Sequence, residues 1–326
     1  WHLCKWGGPS AGSPLQQLPI EDGRQRVRST VAASVLSEDF SALVPTHEIA
    51  DLQPNRYWCE HHSGMVRMGV DDARLFTLRS EVWMASAVVA LEGATEHCFH
   101  HMMLCKLRLP EDSSGKVRCV QRTFLQFDKA DQISNAHIAA GRMPNVHQKN
   151  WVPFVSAADE LFLVFTVEPL VVLKVDSATG ICAEVSSART PVFAPFRQAA
   201  REGEHSTFSL HGGSPLLRLP DSDEFLGIGR IHRGNTRYSL FFYTVAQASG
   251  DKGFVVQRVS RIFCLASTSP AHRGLCETIQ FAGGMLLQNV GGSQALLVAY
   301  GVNDCEAKMA VIPYRRVSEM LRLGNG

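Results

Sequence analysis

The chain has 326 residues, and its 32 Lys and Arg nearly balance 31 Asp and Glu, for a formal charge of +1. No global field draws such a chain onto nucleic acid or an anionic membrane, so no nucleic-acid partner is expected. No run of about 18 apolar residues occurs, which predicts no membrane span, and the opening Trp1-His2-Leu3-Cys4 lacks a charged-then-apolar signal pattern. The first residue is not Met, which leaves a trimmed targeting segment open. The nine cysteines (Cys4, Cys59, Cys98, Cys105, Cys119, Cys182, Cys264, Cys276 and Cys305) form no CxxC pair, and several sit in apolar, strand-like company. They are expected to be reduced, buried thiols in a cytoplasmic compartment, and a zinc site is disfavoured.

In chain order, the first sixty residues read as irregular, with polar, turn-like segments at 51–63 and again at 111–115. Short runs rich in Val, Leu, Phe and Tyr follow, bounded by Gly, Asp, Ser or Pro. They span 82–91, 161–167, 170–175, 225–231, 238–246, 254–259, 285–290 and 295–300. Their length and turn-rich spacing predict antiparallel strands. Helices are expected only at 195–204 and at 314–323, where Val317, Met320 and Leu321 share a face. No linker divides the chain, so a single domain over 1–326 is expected.

Between the strands stand compact polar or Gly-rich motifs, starting near 69, 148, 211 and 300. Each interval is long enough for a four-stranded sheet, so a radial β-propeller with the motifs lining a central pocket fits, as does a β-sandwich or a pair of stacked barrels.

Gly69-Val70-Asp71-Asp72-Ala73-Arg74-Leu75-Phe76 brings two carboxylates and a guanidinium to an apolar strand. In a pocket they would serve a sugar hydroxyl; on a surface they read as an Asp-Asp turn with Arg74 paired to it. Lys149-Asn150-Trp151-Val152-Pro153-Phe154 offers a cation, an amide and an indole, suited to a pyranose or to simple packing on Pro153. Glu168 interrupts two apolar runs and needs a wet pocket or an ion-pair partner. His211-Gly212-Gly213-Ser214-Pro215 lets backbone approach a ligand or turn with positive φ. Downstream, Arg230 and His232 fall on one strand face, with Arg233 beside them, as a phosphate-neutralising cluster or a solvated basic strand end. Tyr300-Gly301-Val302-Asn303-Asp304-Cys305-Glu306 sets Asn, Asp and Glu between two apolar strands, which demands an interior polar purpose.

Gly-Val-Asp-Asp-Ala-Arg, Lys-Asn-Trp-Val-Pro-Phe, Gly-Gly-Ser-Pro-Leu and Tyr-Gly-Val-Asn-Asp resemble, in order and approximate spacing, the signature segments of the β-mannoside phosphorylases of glycoside hydrolase family 130. They look closer still to the related β-1,2-mannosyltransferase/phosphorylases of trypanosomatid protozoa. The likeness runs from about residue 69 to 312. It implies an all-β, five-bladed propeller, roughly 65 residues per blade, with one axial pocket and a metal-independent, inverting reaction without cofactor. Mannose, β-1,2-mannan oligosaccharides and phosphate, mannose-1-phosphate or GDP-mannose would be its substrates. Asp72, Arg74 and Asp304 would face the inner mannose, Asp72 handling the proton directly or through a sugar hydroxyl and Asp304 orienting the sugar. Trp151, Asn150, Glu168, Gly212, Gly213, Tyr300, Asn303 and Glu306 would line the substrate. Lys149, Arg74, His232 and Arg233 would hold phosphate.

Two positions depart from the family pattern. Asn150 stands where the bacterial phosphorylases carry an acidic proton donor, and an amide cannot replace it. Glu168 stands where those enzymes place a phosphate-binding Arg. A β-mannoside hydrolase, with Glu168 or Glu306 activating water, and a non-catalytic carbohydrate-binding propeller are the competing readings.

Overall fold

The computed structural model describes residues 26–29, 31–37, 42–52, 59–60, 66–89, 100–112, 115–127, 150–194, 208–233, 237–248, 253–265, 279–302 and 306–323. The first strands are β1 (Arg26–Ser29), β2 (Ala32–Leu36), β3 (Ala42–Glu48) and the two-residue β4 (Cys59–Glu60). β5 (Val66–Leu78), β6 (Glu81–Val89), β7 (His100–Arg108) and β8 (Arg118–Phe124) form an antiparallel meander, with β1 parallel to β5 and β4 beside it. β2 and β3 make a separate two-stranded sheet.

The second meander is β9 (Val152–Val155), β10 (Leu161–Thr166), β11 (Leu170–Val175) and β12 (Cys182–Ala188), followed by a 3-10 turn at Pro191–Phe193. The third holds β13 (Phe208–Gly212), β14 (Leu217–Arg218), β15 (Glu224–Arg233), β16 (Arg237–Gln247) and β17 (Phe254–Val259). β18 (Gln280–Val290), β19 (Ser293–Val302) and β20 (Glu306–Pro313) form the last sheet, and the helix α1 (Tyr314–Leu323) follows. Among the described residues the architecture is all-β: four blade-like sheets in chain order, each from a near-contiguous stretch, with little helix. The expected strands at 170–175 and 254–259 and the helix at 314–323 agree with these bounds. The helix expected at 195–204 lies outside the described residues.

The chain divides into two compact units, Trp1–Asn150 with Asp176–Cys182, and Trp151–Val175 with Ala183–Gly326. The first packs Val70, Ala73, Met84, Val88, Met103 and Cys105 into one apolar cluster. In the second, Phe154 touches three rings, with centroids 5.3 Å away at Phe162, 5.0 Å at Phe225 and 5.2 Å at Phe254. A further cluster in that unit seats Val317 and Leu321 of α1 on Leu296 and Val298. Burying these apolar faces at about 25 cal/mol per Å² drives the sheets together. It also fixes α1, whose ten residues would be marginal as a free helix.

Hairpin turns set the registers. Leu78 pairs with Glu81 across the two-residue turn Arg79-Ser80, both at positive φ (52° and 61°). The equivalent turn between β18 and β19 uses Gly291-Gly292 (58° and 78°), residues that take this geometry without a Cβ clash.

The expectation of reduced thiols is corrected. Cys105 on β7 and Cys119 on β8 are joined by a disulfide, their Cα atoms 5.8 Å apart, and Cys264 is also disulfide-bonded. The strand pairing of β7 with β8 supplies the proximity, which a spacing without CxxC does not reveal. The cysteine pattern therefore no longer argues for a reducing compartment. Cys182 is a free, buried thiol. Among the described residues no helix is long and apolar enough to cross a membrane.

Candidate active site

β5 is not a regular strand. Asp71 pairs with Ala87, but the next pair is Arg74 with Ala85, so β5 carries one residue more than β6 over this stretch. The bulge is accommodated by Asp72 at φ 53°, a left-handed conformation that Asp tolerates better than most residues. In an unbroken strand, residues three apart point to opposite faces. Here the bulge puts Asp71 and Arg74 on the one face that Ala85 and Ala87 share. Val70 and Ala73 turn the other way, into the apolar cluster of this unit.

The result is a charged cluster buried within an apolar sheet. Arg74 is 0 % exposed and Asp71 2 %. The Arg74 guanidinium donates to the backbone carbonyl of Asp72 at 2.7 Å through Nη1 and to Asn150 Oδ1 at 3.0 Å through Nη2. Across the sheet Arg74 is in register with Ala85, whose small side chain leaves room for the long one. Asn150 is itself buried and held at φ 68°. Because Oδ1 accepts from Arg74, the Asn150 NH2 group is left as its donor side. A guanidinium, an amide and a carboxylate gathered in a dry environment match the donors and acceptors of a polyhydroxylated ligand. Asp72 is half-buried beside them.

The other described candidates fall in the second unit. Trp151 is 1 % exposed and packs edge-on against Phe165, with centroids 5.1 Å apart. Glu168 sits in the turn joining β10 to β11, before the cis peptide to Pro169, and accepts the Thr190 backbone N–H at 3.2 Å. Gly212 pairs with Gly229. A Cβ on Gly213 would lie 2.7 Å from the Ile228 carbonyl oxygen and 3.2 Å from that of Ala282, so only glycine lets these strands approach. Ser214 accepts the Ile228 N–H at 3.1 Å, so strand packing accounts for the Gly-Gly-Ser segment. Tyr300 is buried in the apolar cluster that holds α1.

His232 and Arg233 end β15, in register with Tyr238 and Arg237, and Glu306 opens β20 opposite Val302; their side chains are not described. Lys149, Asn303 and Asp304 lie outside the described residues. Asp71 and Arg230 were raised only as members of their motifs, the paired carboxylates and the basic end of β15, and were given no role of their own. Asp71 was masked by the bulge, and in Gly69-Val70-Asp71-Asp72 only the Asp pair and the glycine (φ 125°) hint at it. Arg230 is buried with its Cζ 4.8 Å from the Phe281 centroid and 5.1 Å from that of Tyr238. Its signal was the alternation with His232. Among the described residues no cluster of three His, Cys, Asp or Glu is placed to hold a metal ion.

No protein-family model matches the chain, and no curated protein sequence matches it. Several solved structures are similar in part, three of them as follows. An endo-arabinase from Bacteroides thetaiotaomicron is 8 % identical, over 74 % of this chain and 73 % of that one, with a TM-score of 0.38. A xylan beta-1,4-xylosidase from Bacillus halodurans is 10 % identical, over 82 % of this chain and 45 % of that one, with a TM-score of 0.41. An alpha-L-arabinanase variant from Cellvibrio cellulosa is 9 % identical, over 76 % and 78 %, with a TM-score of 0.34. At scores below 0.5 these likenesses do not fix the function of this chain.

Proposed function

We propose that this chain is a carbohydrate-active enzyme that transfers β-mannosyl groups with inversion, making and phosphorolysing β-1,2-linked mannose oligosaccharides, on a five-bladed propeller. The observation that carries the reading is the buried polar cluster built by the β5 bulge, where Asp71 and Arg74 share a face and Arg74 is tied to Asn150. The order of the four sequence motifs supports it.

In this reading Arg74 and Asn150 hold hydroxyls of the inner mannose. Asp71, almost wholly buried, balances the Arg74 charge, while half-buried Asp72 keeps the access that proton transfer requires. In phosphorolysis the bond from the anomeric carbon to the departing sugar oxygen breaks and its electron pair leaves with that oxygen. The oxygen takes the proton carried by Asp72, directly or relayed through a mannose hydroxyl. A phosphate oxygen bonds the anomeric carbon from the opposite face, so a β-mannoside gives α-mannose-1-phosphate. Run backwards, the same steps extend the oligosaccharide from mannose-1-phosphate; GDP-mannose is a second donor to try.

Asp72→Asn tests the proton role cleanly, because Asn keeps the size and tolerates the left-handed backbone. Turnover with mannose-1-phosphate should fall about a hundredfold or more, with the melting temperature near wild type. Normal turnover would remove Asp72 from the mechanism. Asp304→Asn tests the sugar-orienting role carried over from the resemblance. β-1,2-mannobiose incubated with and without phosphate separates this reading from hydrolysis, since a hydrolase releases mannose without phosphate. A binding protein would take up the sugar and turn over neither donor.

A further inference from the structure

Helix α1 carries a motif that the β5 site does not use. Its run Arg315-Arg316-Val317-Ser318 holds the one place in the 326-residue sequence where two Lys or Arg residues are adjacent. A serine two and three positions after paired guanidiniums is the acceptor pattern of protein kinases whose peptide grooves are lined with carboxylates. Each Arg docks there through charge-assisted, two-pronged hydrogen bonds. Both guanidiniums are open to such a groove: the Arg315 side chain is 90 % exposed and that of Arg316 67 %, and they meet Glu319 at 3.7 Å and 3.4 Å. Exposed pairs of this kind contribute little, so a groove carboxylate can replace Glu319 at small cost.

Ser318 stands at the rim of the face that α1 buries. Val317 and Leu321 are inside the apolar cluster, whereas Ser318 is half-buried and hydrogen-bonded to the Tyr314 hydroxyl one turn earlier. On its outer side Arg315 lies three residues before and Arg322 four after, the spacings at which helical side chains meet. A similar run, Gln257-Arg258-Val259-Ser260, lacks these features. Ser260 is buried, accepts the Phe242 N–H at 2.8 Å and donates to the Arg261 carbonyl at 2.8 Å, while Arg258 is tied to Glu224 at 2.6 Å.

We propose that Ser318 is a phosphorylation site for an Arg-directed serine kinase, with Arg315 and Arg316 as its docking residues. In the transfer Ser318 Oγ bonds the γ-phosphorus of ATP. The bond from that phosphorus to the bridging oxygen breaks, its electron pair leaves with ADP, and the Ser318 proton passes to the kinase's base. Such grooves take an extended chain, so the reactive form has α1 lifted from its seat, without which ten residues are marginal as a helix. When α1 reseats, Arg315 and Arg322 flank the phosphate. The helix, with three arginines against Glu319, then falls from a net positive charge to about neutral. The site is independent of the mannosyl reading.

The test is incubation of the full chain with ATP and the catalytic subunit of a cyclic-AMP-dependent protein kinase, with phosphopeptides mapped by mass spectrometry. Each variant is first checked for native circular dichroism. Phosphate should appear on Ser318, and its peptide should stay unmodified in Ser318→Ala. Arg315→Gln combined with Arg316→Gln should lower the initial rate at Ser318 about tenfold or more. Leu321→Ala leaves the motif whole and weakens the seat of α1, so it should raise that rate about tenfold or more; Leu321→Val serves if Leu321→Ala does not fold. A Ser318 left unmodified in both the native chain and the Leu321 variant overturns the proposal. So does a rate at Ser318 that is indifferent to the loss of both arginines.

Discussion

Arg74 shows how much one buried side chain commits its surroundings to. A guanidinium removed from water must be met by acceptors, and here a backbone carbonyl and an amide oxygen supply them at 2.7 and 3.0 Å. Lysine cannot reproduce two donors in a plane, so Arg74→Lys should lower mannosyl transfer about tenfold or more, read as kcat/KM on mannose-1-phosphate. Gly213 makes a steric commitment instead. Gly213→Ala would drive a methyl into the Ile228 carbonyl, and a loss of about 1–3 kcal/mol in denaturant unfolding is expected. Cys182 makes a third commitment, to a neutral state. Burial pushes its thiol up from 9.0 to about 12, with the backbone hydrogen bond at Gln126 opposing. The raised folded value means that its contribution to stability is intact below pH 9.0 and is lost as pH rises toward about 12. In the native protein at pH 8, mass-mapped alkylation should leave Cys182 unmodified.

At the scale of elements, strands were legible wherever Val, Leu and Phe runs ended in turn residues, because burial on a pleated sheet rewards that composition directly. Helix α1 was legible because Val317, Met320 and Leu321 recur at helical spacing, and Val317 and Leu321 do face the core. The bulge in β5 was not. In a regular strand Asp72 and Arg74 share a face, whereas the extra residue gives that place to Asp71, and no local pattern distinguishes the two registers. The disulfide between Cys105 and Cys119 was hidden for a similar reason, since it depends on how β7 pairs with β8. The Arg79-Ser80 turn goes against local preference, with both residues left-handed where Asn-Gly is favoured. Arg79→Asn combined with Ser80→Gly should therefore stabilise the fold by about 1 kcal/mol, seen as a raised urea midpoint with an unchanged slope.

At the scale of the whole molecule, the all-β class and the succession of sheets follow from strand composition and turn spacing. The near-neutral charge agrees with ligands recognised by local groups rather than by a long-range field. Much of the site was half-legible: Arg74 and Asn150 belong to two separate motifs, and their contact at 3.0 Å exists only through the fold. The proposed activity is mannosyl transfer coupled to phosphate. It is tested most directly by incubating the protein with mannose and mannose-1-phosphate, then determining the linkage of the products and the phosphate released. β-1,2-linked oligosaccharides with one phosphate freed per bond formed are expected; mannose-1-phosphate left unconsumed, or β-1,2-mannobiose cleaved to mannose without phosphate, would contradict phosphate-coupled transfer.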